Sequence, residues 1–353
     1  LLMAYGASEA EAAQISGLYA AALPVIPVDF HSASQSDIET IAVFGDGRYE
    51  LTPRLSLLAG FRYDLEENKE DTQQSATFVG TYPDPANYGA PGSALYTAIY
   101  TINLGVAGYV QQASGTAPTG DPREFEAFLP KAGLKYDWTD DLSTSFVVQR
   151  GYRSGGTTTN VARSSVVPYD PEYTWNYEAS FRSAWLDGAL TVNANAFYTD
   201  WTDQQVTVNL GLNDYDYQTI NAGKSHLYGA EIAINHFATD NFDWYAGLGY
   251  TKTEFDEFEV TVGTTYGDLS GSEFAFAPQW TANIGGNYDW DNGFVANVNG
   301  AYQSDAYSSI GVGQEREKVD SRFIVNTRIG YQTDHYGLFV FANNLFDSEY
   351  VQY

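Results

Sequence analysis

The chain has 353 residues, with 17 Lys+Arg against 45 Asp+Glu and a formal net charge of −28, which excludes nucleic acid and acidic lipid as partners drawn in by charge. With 44% hydrophobic and 18% charged residues it is too apolar for disorder, and with no cysteine it has no disulfide, thiolate metal site or cysteine nucleophile. The 28 Tyr, 20 Phe and 7 Trp beside one Met favour strands and boundaries between apolar and aqueous phases over a helical enzyme.

Residues 1–36 read as loop. The most apolar run, Ile15 to Phe30, is cut by Pro24 and Pro27, so no transmembrane helix is predicted. The amino end lacks a basic leader and reads as a mid-chain segment. Residues 37–353 read as strands and loops, and the strand-like run into Tyr350-Val-Gln-Tyr353 supports a fragment.

Six polar turns follow in order: Glu50-Leu-Thr-Pro-Arg54, Asp137-Trp-Thr-Asp-Asp141, Trp185-Leu-Asp-Gly188, Ala238-Thr-Asp-Asn241, Asp289-Trp-Asp-Asn-Gly293 and Gln332-Thr-Asp-His335. Each is rich in turn formers and is flanked by about ten residues of alternating polarity, so each joins two antiparallel strands. The intervening connections are long and polar, as in Glu66 to Glu124, Ser154 to Pro171 and Glu254 to Ser272. Short turns at one end and long loops at the other predict an all-β, antiparallel transmembrane barrel wall of about 12–14 strands.

The faces carry the same message. Tyr173, Trp175, Tyr177, Ala179, Phe181 and Trp185 alternate with Thr174, Asn176, Glu178, Ser180 and Arg182, and Leu190, Val192, Ala194, Ala196 and Tyr198 alternate with Thr191, Asn193 and Asn195. The split returns in Ala282, Ile284, Gly286 and Tyr288 against Asn283 and Asn287, and in Phe294, Ala296 and Val298 against Asn297 and Asn299. A soluble sandwich also alternates. Tryptophan placement separates the two: Trp138, Trp185, Trp244 and Trp290 sit beside short turns, and Trp175 and Trp280 sit a bilayer's span earlier on the same strands. These are two aromatic girdles around an apolar band. Trp201 falls on the polar parity and fits only if a bulge shifts the register.

Several segments, in order, resemble the barrel of TonB-dependent outer-membrane receptors. They are Phe128-Leu-Pro-Lys-Ala-Gly-Leu-Lys-Tyr136, Gln149-Arg-Gly-Tyr-Arg-Ser-Gly-Gly156, Tyr169-Asp-Pro-Glu172, Leu186-Asp-Gly-Ala-Leu-Thr191, Ala196-Phe-Tyr-Thr-Asp-Trp201, Asn221-Ala-Gly-Lys224, Tyr228-Gly-Ala-Glu231, Ala277-Pro-Gln-Trp280 and Asn343-Asn-Leu-Phe-Asp347. The resemblance covers roughly 41–353. It implies part of a barrel of about 22 strands, with the plug domain and the closing strand outside this sequence. It also implies a Gram-negative outer-membrane location, contact with outer-membrane lipid and lipopolysaccharide, and active import of a ferric siderophore or similar chelate, driven by a TonB-type complex acting through the plug. A passive diffusion porin and a soluble extracellular β-rich binding or adhesion module remain as alternatives.

No enzyme chemistry is indicated, and neither cofactor nor metal is expected. His31, His226, His236 and His335 have no ligand spacing. The carboxylates Glu66-Glu67 and Glu254 to Glu259 read as solvated loops, with calcium or magnesium bridging to headgroups as the alternative. Arg62, Asp64, Glu178, Arg182 and Glu231 fall on the lumen parity, where mutual pairing and plug contact are expected. Arg150 and Arg153 flank the start of a long loop, where structural pairing with nearby Asp or Glu is the first expectation and donation to an anionic chelate the sharper alternative. Tyr82, Tyr88, Tyr215 and Tyr217 are loop tyrosines suited equally to stacking on an aromatic ligand or to an interface.

Overall fold

The computed structural model describes residues 8–113, 115–116, 122–160, 162–163, 165–211, 215–262, 265–310 and 316–351. Helix α1 spans Glu9–Ala22, followed by β1 (Val28–Glu50), β2 (Leu55–Phe78), α2 (Ala94–Gln112), β3 (Gly115–Thr116), β4 (Arg123–Thr139) and β5 (Leu142–Arg153). Then come β6 (Gly156–Asn160), β7 (Ser165–Tyr169), β8 (Glu172–Trp185), β9 (Leu190–Thr202), β10 (Gln205–Asn209), β11 (Tyr217–Asn221), β12 (Lys224–Thr239) and β13 (Phe242–Glu257). The chain continues with β14 (Glu259–Val262), β15 (Thr265–Asp268), β16 (Trp280–Asp289), β17 (Phe294–Gln303), β18 (Ala306–Tyr307), β19 (Lys318–Val319), β20 (Arg322–Gln332) and β21 (Gly337–Ala342).

The principal sheet has 13 strands in the order β1-β2-β4-β5-β8-β9-β12-β13-β16-β17-β20-β21, with β3 added beside β2. Each of the six expected turns joins two neighbours in this order. The turns have a common chemistry. Thr52, Thr139, Thr239 and Thr333 each accept, through Oγ1, a backbone N–H two residues ahead, which bends the chain without a partner strand. The third turn uses left-handed backbone at Leu186, Asp187 and Gly188; the fifth uses Gly293 at φ +91.

The register aligns the faces across the sheet. One row runs Phe146, Ala179, Ala196, Ala230, Tyr250, Trp280. The row next to it, on the opposite face, runs Ser145, Ser180, Asn195, Glu231, Gly249, Thr281, Gln303, Arg322. On the apolar face Ile284 is 59% exposed, Val298 52% and Ile329 55%. Leaving such side chains in water forgoes about 1.5–3 kcal/mol each, and no second layer covers them among the described residues. A sandwich core is thereby excluded, and the wall matches one that meets lipid.

The chain divides into two compact units, one of residues 1–39, 67–123 and 157–167, the other of the remainder. In the first, α1 and α2 pack through Tyr19, Ile99 and Val106, with Ile15, Tyr82 and Tyr88 against them. The Tyr19 hydroxyl donates to Asn103 Oδ1 at 2.8 Å, and burial raises its pKa. Helix α1 corrects the expectation that 1–36 is loop. A capping box explains it: Ser8 Oγ accepts from the Glu11 N–H, and Glu11 Oε2 accepts from the Ser8 N–H at 3.0 Å. Strand β1 also starts inside that stretch. Residues 1–7, and 352–353 of the carboxyl run, lie outside the described residues. A second correction concerns Glu66 and Glu67, which lie within β2 rather than in a loop, while Glu254 lies in β13.

In the second unit a clustered core lies at and beyond the ends of the principal strands. Val206, Val208, Ala222, Phe255, Phe258 and Val260 are buried together. They come from the ribbons β10–β11 and β14–β15 and the strand ends beside them. The connections expected to be merely polar are therefore folded.

Candidate functional site

The polar face changes character from strand to strand. On β1, β2 and β4 it holds ion pairs: Lys131 Nζ lies 2.7 Å from Asp46, Arg48 Nη2 3.4 Å from Asp137, and Lys135 Nζ 2.5 Å from the same Asp137. Arg62 Nε lies 2.8 Å from Asp64, whose side chain is 6% exposed. Within each of these pairs a charge that loses water has its opposite within reach, as desolvation demands.

From β13 to β20 the charges give way to amides. Asn326 Nδ2 donates to Asn299 Oδ1 at 3.1 Å, Asn299 to Asn297 at 2.9 Å, Asn297 to Asn287 at 2.7 Å, and Asn287 to Asp243 Oδ2 at 2.7 Å. Asn326 Oδ1 in turn accepts the N–H of Asn344 at 3.0 Å. All side-chain donors point the same way and end on a carboxylate, so the links polarise one another. The lower part of this chain borders a polar recess of about 900 Å³, together with Asp289, Arg328 and Asp334.

The expected site residues are distributed as follows. Arg153 is on the polar parity, and its Nε lies 2.9 Å from Glu172 Oε1. Arg150 pairs with Trp175 and shares the apolar parity, its guanidinium 4.3 Å from the Tyr173 ring and donating to the Phe128 carbonyl at 3.2 Å. The register therefore sets the two arginines on opposite faces of β5. Arg62 and Asp64 pair with each other, whereas Arg182 donates to the carbonyls of Phe181 and Ala194 rather than to Glu178 or Glu231. Glu231 borders a mainly apolar recess of about 630 Å³ that includes Ala179, Ala196 and Ala230.

Trp175, Trp185, Trp244 and Trp280 lie on the apolar parity. Trp138 stacks edge-on to Tyr136 of that face, and Trp290 contacts Tyr288. Trp201 keeps the polar parity without any register shift, opposite Thr174 and Ser225. Its ring meets Phe274 at 6.1 Å, so it is the foot of the loop core rather than a member of a girdle. Tyr82 stacks on Phe78 at 4.1 Å, while Tyr215 is 74% exposed.

One constellation escaped the sequence reading. The ribbon β18–β19 sets Tyr307 opposite Lys318. Arg316 lies 3.7 Å and Lys318 5.1 Å from the Tyr307 ring, and Arg322 lies 5.0 Å from the ring of Tyr350. Arg316 also donates to the Glu273 carbonyl at 2.8 Å, and Lys252 pairs with the Glu273 carboxylate. Lys318 Nζ is 2.6 Å from Asp305, a contact that lowers the Asp305 pKa and raises that of Lys318. Cations held over aromatic faces suit anionic, planar groups. The signal was available as three cations in the short stretch 316–322 of a chain with only 17. Among the described residues no group of three His, Asp or Glu is placed to hold a metal.

Comparison with known proteins agrees with this architecture. The family described as TonB dependent receptor-like, beta-barrel matches residues 12–345. The pesticin receptor of Yersinia pestis is 23% identical over 344 residues, covering 94% of this chain and 42% of that protein. Among solved structures, the ferric yersiniabactin uptake receptor FyuA from Yersinia pestis has 19% identity and a TM-score of 0.66, covering 91% of this chain and 42% of that chain. The siderophore receptor PiuA from Acinetobacter baumannii has 18% identity and a TM-score of 0.64, covering 90% and 40%. The copper transporter OprC has 14% identity and a TM-score of 0.62, covering 90% and 42%. At these identities the structures share the fold. The chain spans about two fifths of the length of its relatives.

Proposed function

The chain belongs to the TonB-dependent receptor β-barrel family of Gram-negative outer membranes, and from that premise we propose that it is the ligand-facing wall of a receptor that imports a ferric siderophore or similar chelate. The family is one of transport receptors rather than enzymes. Energy for import comes, in this reading, from a TonB-type complex acting on a plug. The observation that carries the ligand class is the loop-side set of Arg316, Lys318 and Tyr307, two cations held against one aromatic ring in a chain with only 17 Lys+Arg. Such a set offers donors and an aromatic face to an anionic, aromatic or carboxylate-bearing chelate. Arg153, on the polar parity, is the second donor. The siderophore receptors among the structural neighbours support this reading, and OprC marks metal import more broadly as the range to be tested.

The test is uptake of radiolabelled ferric chelates by cells whose only such receptor is the full-length protein. Saturable uptake that stops when the proton-motive force is collapsed is expected, as is a loss of about tenfold or more in the Arg316→Ala, Lys318→Ala double variant at equal surface abundance. Uptake that rises linearly with concentration and survives loss of the proton-motive force would make the wall that of a porin.

A further inference from the structure

The long connections of the second unit are joined to one another by side-chain hydrogen bonds and a shared core. Glu172, 5% exposed, accepts from Arg153 Nε on one oxygen and from the backbone N–H of Gln205 at 2.6 Å on the other. The Gln205 side chain then donates to the carbonyls of Ser154 at 2.8 Å and Asp170 at 3.1 Å, the two ends of a different connection. Asn221 repeats the pattern, with its Nδ2 donating to the carbonyls of Asp170 and Asp203 and its Oδ1 accepting from the Asp170 N–H at 2.8 Å. Nearby, Ser225 Oγ donates to Gln204 Oε1 at 2.6 Å in a buried contact.

Above these joints the apolar side chains interlock. Val206, Val208 and Ala222 from one connection are buried with Phe255, Phe258 and Val260 from the next, and Ile310 from a third packs against them. Phe255 meets Phe258 at 4.9 Å and Phe274 at 4.6 Å. The third connection is also tied by its backbone, since the Phe276 N–H donates to the Tyr307 carbonyl at 2.7 Å. Ribbons as short as β10–β11 and β14–β15 are marginal by themselves. Their stability is therefore shared through the common core, and a loss in one is felt in its neighbour.

We propose that these connections form one preassembled cap that opens as a unit, with Gln205 and Phe258 as the positioning residues that join its parts. Recognition groups borne by different connections, such as Arg153 and Arg316, then hold a fixed spacing before any ligand arrives. This goes beyond the import reading and stands whichever ligand is carried. Loops that close one by one around a cargo would expose polar ends and share no core.

The experiment is amide hydrogen exchange on the full-length receptor in detergent without ligand, with retention of the heat-modifiable folded band as the check on barrel assembly. Phe258→Ala is expected to speed exchange in residues 205–221, which belong to another connection, by about tenfold or more. Gln205→Ala is expected to do the same in 168–172 and 255–260, while β16 and β17 stay protected in both. Acceleration confined to the substituted connection overturns the proposal. Should Phe258→Ala fail to assemble, Phe258→Leu serves instead: transmission to 205–221 supports the cap, and a purely local effect overturns it.

Discussion

Asn287 Nδ2 donates to Asp243 Oδ2 at 2.7 Å across the β13–β16 pair, and the amides of Asn297, Asn299 and Asn326 are strung behind it. Asn297 is the middle link, donating also to the Gly286 carbonyl at 3.3 Å. Asn297→Ala is expected to destabilise the full-length barrel by about 1–3 kcal/mol. The change is read from the temperature at which the folded band is lost. With Asn287→Ala already present, the same substitution should cost measurably less than it does alone, because the chain is then already broken.

Two turn glycines offer a controlled comparison. Gly188 and Gly293 both have positive φ, +89 and +91, but a Cβ on Gly293 would lie 2.8 Å from the Gln332 carbonyl, whereas none of the neighbours of Gly188 comes within 4 Å. Gly188→Ala should cost about 1 kcal/mol of backbone strain and Gly293→Ala about 3 kcal/mol. Equal losses in thermal melts of the two variants would show that the Gln332 contact is relieved at no cost.

The Asp305–Lys318 pair gives a pH signature. Lys318 depresses the Asp305 pKa, so this part of the ribbon's stability is present above the unfolded carboxylate value of 3.8 and is lost as pH falls through the folded one. Asp305 raises the Lys318 pKa, so the complementary part is present below the unfolded value of 10.5 and is lost as pH rises through the folded one. The ratio of exchange rates between Asp305→Asn and the parent at Val319 should therefore be greatest at intermediate pH and fall toward one at acid extremes. A ratio independent of pH would mean that the pair adds nothing to the ribbon.

Membrane depth is readable from tryptophan. Trp175 is 38% exposed, Trp185 51% and Trp280 45%, all on the face that meets lipid, and Trp290, 45% exposed, packs on Tyr288 of that face. In single-tryptophan variants reconstituted in vesicles, these four should be quenched best by bromines near the headgroups. A tryptophan introduced at Ile284 should be quenched best by bromines near the chain ends. Uniform quenching at all depths would contradict the girdles.

Much of the wall was legible because its determinants are local. Thr139, Thr239 and Thr333 bend their turns with their own hydroxyls, and a period of two survives wherever one face meets oil. The same logic fails where both faces meet water. Residues 66–74 of β2 alternate nothing apolar with their Glu, Asn, Lys and Gln, so the strand's continuation to Phe78 carried no pattern. Helix α1 was announced by Ser8 and Glu11, whose spacing is a capping signal. Trp201 was visible as a misfit, but only the packing of Phe274 gives the reason. The Tyr307 cluster depends on the register of a two-residue ribbon, and no sequence pattern of that length fixes a register.

The two styles of polar lining respond to different solutes. Ion pairs such as Lys131–Asp46 and Arg48–Asp137, with side chains between 27% and 63% exposed, weaken as added electrolyte shortens the Debye length. The carboxamide string from Asn326 to Asn287 carries no net charge and ignores the same treatment. Brine therefore softens one arc of the lining and leaves the other stiff, giving the wall a built-in seam that ionic strength alone reveals.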